Sequence, residues 1–137
     1  MADLRILSLG AGVQSSTLAL MMERGEVQKP DACIFSDTMS EPKAVMDWLE
    51  WLKTQLSFPV HIVSKGNLRQ ETIDAATGVG KYKYVTIPVY TVNAKTQKKG
   101  LLRRQCTSEY KILPVNKKVR DLLGLKKISA CKKGHRS

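Results

Sequence analysis

A glycine- and serine-rich turn near the start of the chain has the residue types of a phosphate-binding loop. The small residues let a phosphate approach the backbone, and the serines place hydroxyl and N–H groups where a helix is predicted to begin. The positive end of the helix dipole favours an anion there. A tight strand-to-helix turn capped by serine has the same pattern, so from the residues alone both interpretations stay open. The turn consists of Gly10, Ala11, Gly12, Val13, Gln14, Ser15 and Ser16.

Further along the chain, other side chains could complete such a site. Asp37 follows an apolar run, where it could bind Mg²⁺ or a ribose or only shape a turn. Arg103, Arg104 and Lys111 could bind a phosphate or a sulfate, although solvent exposure is the commoner role of such residues. Cys106 lies between these cations in the sequence. Nearby positive charge favours the reactive thiolate, and the alternative is a half-buried packing residue.

The hydrophobic pattern predicts the elements that would position these residues. Strands are expected at residues 4–9, 32–35 and 59–63, and residues 84–92 are expected to be extended before a basic loop at 94–100. The predicted helices are residues 16–23, one that starts near Pro42 and carries the apolar stripe Val45, Trp48, Leu49, Leu52 and Leu56, one from Asn67 to Gly78, and one from Pro114 to Gly124. Alternating strands and helices imply a parallel sheet, with residues 10–16 and 36–41 meeting at its carboxyl edge.

The positive charge of the chain is concentrated in its last third. The formal net charge is +11, and residues 93–137 carry 14 Lys and Arg against two acidic residues, Glu109 and Asp121. Such asymmetry favours a polyanionic partner, either nucleotide phosphates or a nucleic-acid backbone. A solvated basic face is the alternative interpretation.

The cysteines and the apolar runs indicate the compartment. Cys33, Cys106 and Cys131 are odd in number and form no CxxC pair, which argues against a disulfide framework or a cysteine-only zinc site. The longest apolar run near the N-terminus is too short to span a membrane, so no membrane partner is expected. A reduced, cytoplasmic location fits this pattern best.

The glycine-serine turn resembles the SGGxDS-type PP-loop of the adenine nucleotide α-hydrolase-like superfamily. Within it, the chain is most similar to the phosphoadenosine phosphosulfate (PAPS) reductase family, including phage-borne members. Three further segments match that family in order: FSDTMSEP at residues 35–42, IPV at 87–89 and RQCTSEYKILPV at 104–115. The resemblance extends from residue 4 to about residue 124. It implies an α/β fold with three layers and a doubly wound, mainly parallel sheet.

The resemblance also implies an adenine nucleotide, ATP or PAPS, as the ligand, with Mg²⁺ as the candidate metal. Two reactions follow from it: thiol-dependent reduction of a sulfonucleotide with Cys106 as the catalytic thiol, or attack on the ATP α-phosphate with release of pyrophosphate. The alternative function is a non-catalytic nucleic-acid-binding or regulatory module that uses the basic C-terminal third. The expected organisation is a PP-loop domain at residues 1–124 and a basic, flexible tail at residues 125–137.

This sequence departs from the family pattern at several positions. Gly10 stands where many PP-loops have serine, and Gln14 stands where they have aspartate, so Gln14 supplies no negative charge to a metal. Cys131 does not match the Glu-Cys-Gly-like motif of the reductases, and we expect a shortened member of the family. No iron–sulfur cluster is expected, because the paired cysteines that bind one are missing.

Overall fold

A three-stranded parallel sheet forms the centre of the protein, in a computed structural model that describes residues 3–79, 87–101 and 105–125. Its strands are β1 (Ile6–Leu9), β2 (Ala32–Asp37) and β3 (Val60–Ser64), in the order β1-β2-β3. Two further strands, β4 (Tyr90–Val92) and β5 (Lys99–Leu101), form a separate antiparallel hairpin. The helices are α1 (Val13–Arg24), α2 (Lys43–Gln55), α3 (Leu68–Thr77) and α4 (Leu113–Leu122), with a π-helical segment (Thr107–Ile112) directly before α4. This arrangement confirms an α/β fold with a parallel sheet.

The helix boundaries follow from local capping chemistry. Gly25 adopts φ 81° and ends α1, and Gly78 adopts φ 70° and ends α3, as glycine allows without steric cost. The Asn67 side chain accepts a hydrogen bond of 3.0 Å from the Gln70 N–H at the start of α3. These features confirm the predicted ends. Within the described ranges, every helix falls short of the length and apolarity that crossing a bilayer requires.

The core lies between one face of the sheet and helices α1 and α2. Leu7 pairs with Cys33 and Leu9 with Phe35 across the parallel register, so these four side chains share that face. The α2 residues on this side that are fully buried are Leu49 and Leu52. Their spacing of three confirms the predicted apolar stripe of α2 at its centre.

The other face of the sheet contacts the π-helical segment and α4. Ser36 alternates with Phe35 on β2 and is buried, and its hydroxyl donates a hydrogen bond to the Tyr110 carbonyl. This hydrogen bond ties the π-helical segment to β2. The α-helix α4 begins at Leu113 with Pro114 in its first turn, which confirms the predicted start, and the π-helical segment extends the helical backbone upstream of it.

Glu23, near the end of α1, anchors the turn before β3. Its carboxylate accepts hydrogen bonds from the Ser57 N–H at 2.9 Å and the Ser57 hydroxyl at 2.8 Å, and it lies 3.0 Å from the Lys29 ammonium. The Ser57 backbone N–H is the main reason that the pKa of Glu23 falls from 4.5 to about 2. Glu23 thereby joins α1 to the chain segment that follows α2.

We expect a Glu23→Gln variant to lose stability at neutral pH and to match the unaltered protein in strong acid. A carboxyl whose pKa is lowered in the folded state stabilises that state above its unfolded pKa of 4.5, and the contribution is lost as pH falls toward about 2. Urea unfolding at a series of pH values measures the difference. A difference that stays constant from pH 7 to pH 2 would contradict the assignment.

Candidate functional site

The glycine-serine turn lies at the carboxyl edge of the sheet, between β1 and α1. Ala11 is buried and adopts φ 53°, a backbone conformation that residues with a side chain seldom adopt. The Ser15 hydroxyl accepts a hydrogen bond from the Gly10 N–H at 3.1 Å and donates one to the Gly12 carbonyl at 3.3 Å. The turn is therefore fixed by one of its own side chains, and strained backbone of this kind is common at ligand sites.

The first turn of α1 presents N–H groups that the protein leaves open. Gly12 is the N-cap and offers no side chain, and the Ser16 N–H bonds back to the Gly12 carbonyl at 3.0 Å. Among the described residues, the N–H groups of Val13, Gln14 and Ser15 have no acceptor. The first turn also contains no acidic residue, and Val13 is 85% exposed. An anion could therefore reach the positive end of the helix dipole without displacing a protein group.

A pocket of about 390 Å³ opens on the sheet side of this turn. It lies between the ends of β1 and β2 and the π-helical segment, and both Gly10 and Lys111 line it. The Lys111 ammonium is 4.0 Å from the Glu41 carboxylate and its side chain is 55% exposed, so this ion pair is weak. The lining also includes polar residues from three elements, namely Ser8, Ser36 and Thr107. The structure thus brings Lys111 to the same cavity as the predicted phosphate loop.

A second pocket, of about 450 Å³, lies on the helix side of the turn between α1 and α2. Gly12 and Trp48 both line it. The Trp48 indole N–H donates a hydrogen bond of 3.0 Å to the hydroxyl of the buried Ser16, and its ring stacks on Trp51 with centroids 4.6 Å apart. Trp48 belongs to the predicted apolar stripe of α2, but it is 40% exposed. Its link to the loop has no signal in the sequence, since it joins residues 32 positions apart.

Asp37 ends β2 at the same edge of the sheet. One of its carboxylate oxygens accepts a hydrogen bond of 2.7 Å from the Met39 N–H, and Met39 adopts φ 55°. Asp37 therefore shapes the turn, which was one of the two roles predicted for it from the sequence. The other oxygen has no hydrogen bond from a described residue, which leaves it able to bind a cation or a hydroxyl. In the part of the chain that the structure describes, no three His, Cys, Asp or Glu side chains group as metal ligands would.

The two described cysteines differ in their surroundings. Cys33 lies in β2 and is completely buried, and burial raises the pKa of its thiol to about 11. Cys106 is partly exposed and directly precedes Thr107, which lines the pocket beside Gly10. Cys106 itself is not among the residues that line this pocket. The predicted anion ligands Arg103 and Arg104 lie outside the described residues, as do Cys131 and the tail from residue 126 onward.

A charged cluster beyond the end of β3 fixes the π-helical segment. The Lys65 ammonium is 2.5 Å from the Glu109 carboxylate and 3.9 Å from the Glu71 carboxylate, and it lies 4.3 Å from the centre of the Tyr110 ring. The Tyr110 hydroxyl donates a hydrogen bond to Glu71. The cluster thereby holds the segment that carries Lys111 against β3 and α3. The sequence pattern did not single out this cluster, although Lys65 lies just beyond the predicted strand at residues 59–63, where ligand-proximal residues are expected in such sheets.

Comparison with known proteins gave no match: no family model, no curated protein and no solved structure matches the chain.

Proposed function

We propose that this chain binds the phosphates of an adenine nucleotide on residues 10–16, as a member of the PAPS reductase-like group of PP-loop proteins. The α/β fold with its parallel sheet and the loop at the carboxyl edge of β1 support the proposal. We also propose that the sheet is doubly wound, with helical layers on both of its faces, so that the fold has three layers. Its support is that Ser36 contacts the π-helical segment on the face opposite the core of α1 and α2.

The observation that carries the proposal is the set of open N–H groups at Val13, Gln14 and Ser15. Three adjacent donors in one helical turn match the oxygens of a phosphate, and the macrodipole adds to their attraction. Since Gly12 has no side chain and an added Cβ would meet no atom within 4 Å, a ligand can approach the backbone closely. A turn that served only to connect a strand to a helix would gain stability from a capping side chain here.

Lys111 is the residue that would add positive charge to the site. It lines the cavity that Gly10 also lines, and its partner Glu41 holds it only loosely at 4.0 Å. A phosphate would offer it a shorter and stronger charge-assisted hydrogen bond. Asp37 would hold Mg²⁺ on the nucleotide, because Mg²⁺ commonly takes one or two carboxylates together with phosphate oxygens and water. Both pockets beside the loop have the size of small-molecule sites.

The test is a thermal-shift panel of ATP, AMP and PAPS, each with and without Mg²⁺, on the unaltered protein and on two variants. A nucleotide at 100 times its dissociation constant should stabilise the fold by about 2.7 kcal/mol. Lys111→Ala is expected to weaken binding about 10-fold, as the loss of one charge-assisted hydrogen bond implies. Lys117→Ala is the matched control, since Lys117 lies on α4 and lines neither of the two pockets, and it should bind normally. A panel with no stabilisation by any nucleotide would refute the proposal.

The same panel separates the two reaction classes. Preference for PAPS over ATP favours an oxidoreductase that reduces a sulfonucleotide with Cys106 as its thiol, one residue from the pocket. Preference for ATP with Mg²⁺ favours chemistry at the α-phosphate, in which Asp37 would position the metal and Cys106 would have no part.

A further inference from the structure

The hairpin of β4 and β5 is a preorganised but uncovered surface. Its turn is closed by the Asn93 N–H, which bonds to the Lys98 carbonyl at 3.0 Å, and by the Gln97 N–H, which bonds to the Asn93 carbonyl at 2.8 Å. The Asn93 side chain accepts hydrogen bonds from the N–H groups of Lys95 and Thr96, at 2.9 and 3.0 Å. The turn is thus held by its own atoms, while all six strand residues are exposed.

One face of this hairpin combines an aromatic ring, apolar side chains and a lysine. Tyr90 pairs with Leu101 and Val92 pairs with Lys99, so by strand alternation these four side chains share a face. Tyr90 is 83% exposed, Leu101 59% and Val92 56%. A two-stranded hairpin is only marginally stable by itself, and nothing among the described residues covers this face. Such a face is typical of a binding surface rather than of a structural one.

The charge of the hairpin indicates the chemistry of its partner. Between residues 75 and 108 the sequence has seven Lys and Arg and no Asp or Glu. Three of the lysines, Lys95, Lys98 and Lys99, lie in the hairpin, and they make no ion pair with any described residue. A uniformly positive ribbon with an exposed tyrosine combines the two contacts that single-stranded nucleic acids need, phosphate neutralisation and base stacking.

We propose that the hairpin of β4 and β5 binds single-stranded nucleic acid, with a base stacked on Tyr90 and the backbone phosphates beside Lys99 on the same face and Lys98 at the turn of the hairpin. An acidic protein surface would match the charge but would not need the exposed ring. Duplex DNA would also match the charge, yet its bases are already stacked on each other and unable to stack on Tyr90. The proposed site is separate from the nucleotide loop and does not depend on the function of residues 10–16.

The experiment measures fluorescence anisotropy of a labelled oligothymidylate with the full chain over a range of salt concentrations. Tyr90→Ala is expected to weaken binding about 10-fold or more, since base stacking on an aromatic side chain commonly contributes that much, and Tyr90→Phe should retain most of the affinity. The double variant Lys98→Ala/Lys99→Ala should lower the slope of log affinity against log salt by about 1.4, or about 0.7 for each phosphate contact. Lys43→Ala/Lys53→Ala removes the same charge from α2 and should leave the slope unchanged.

Melting temperatures show that each variant is folded, and because the hairpin lies outside the core we expect them to be unchanged. Equal affinity for the duplex and the single strand, or no effect of Tyr90→Ala, would overturn the proposal in favour of unspecific attraction to polyanions. Polyglutamate that competes as well as the oligonucleotide would overturn it in favour of an acidic protein partner. Unaltered nucleotide-induced stabilisation in the Tyr90→Ala variant separates the result from that of the proposed nucleotide site.

Discussion

Replacing Gly12 with valine is expected to reduce nucleotide affinity by about 100-fold or more while the domain stays folded. Gly12 has φ −84° and ψ 174°, a conformation that valine adopts readily, and an added Cβ would meet no atom within 4 Å. The empty space that admits the new side chain is also the space through which a phosphate would approach the open N–H groups. The cost to the fold is limited to a poorer N-cap, about 1 kcal/mol.

Calorimetric titration with the nucleotide that stabilises the unaltered protein measures this effect, and urea unfolding checks the fold. Arg24→Ala is the control, because Arg24 lies at the far end of α1, its side chain is 76% exposed, and it lines neither pocket beside the loop. It should bind with normal affinity. Gly12→Ala should fall between the two, as its side chain is smaller. Unchanged affinity in Gly12→Val would show that the turn only connects β1 to α1.

Alkylation by iodoacetamide at neutral pH is expected to be at least about 100-fold slower at Cys33 than at an ordinary exposed thiol. The raised pKa of about 11 leaves Cys33 with that much less thiolate, and its complete burial slows the reagent further. Cys106 is partly exposed, so we expect it to be alkylated much faster than Cys33. Mass spectrometry of the labelled peptides over time gives both rates.

Addition of nucleotide to the same reaction tests whether Cys106 belongs to the site. Slower labelling of Cys106 with PAPS present, and unchanged labelling of a Gly12→Val variant under the same conditions, would support a thiol at the bound sulfonucleotide. If Cys106 proves as inert as Cys33, it is a packing residue, and the reductase chemistry is ruled out while phosphate binding is not.

The parts of the fold that the sequence predicts are those governed by neighbouring residues. Gly25 and Gly78 end their helices through their own backbone freedom, and Asn67 caps α3 from three residues away. The buried run in β2 is recognisable because a parallel strand with both faces covered is continuously apolar. The turn between β1 and α1 is also recognisable in this way, since its glycines and serines are adjacent in the chain.

The features that escape prediction depend on residues far apart in the sequence. The hydrogen bond from the Ser36 hydroxyl on β2 to the Tyr110 carbonyl, for example, joins residues 74 positions apart. The proximity of Lys111 to Gly10 likewise requires the packing of the π-helical segment against β2. Local patterns therefore predict the turn between β1 and α1 but not the two cavities on either side of it.

The stacked indoles of α2 give this protein a built-in optical reporter. Trp48 and Trp51 are the only tryptophans in the chain, and the N–H of Trp48 is bonded to Ser16 in the first turn of α1. All of the indole emission therefore originates beside the loop, and a change in that hydrogen bond changes its intensity or wavelength. Events at the loop can be followed in real time without a dye, a label or a coupled reaction.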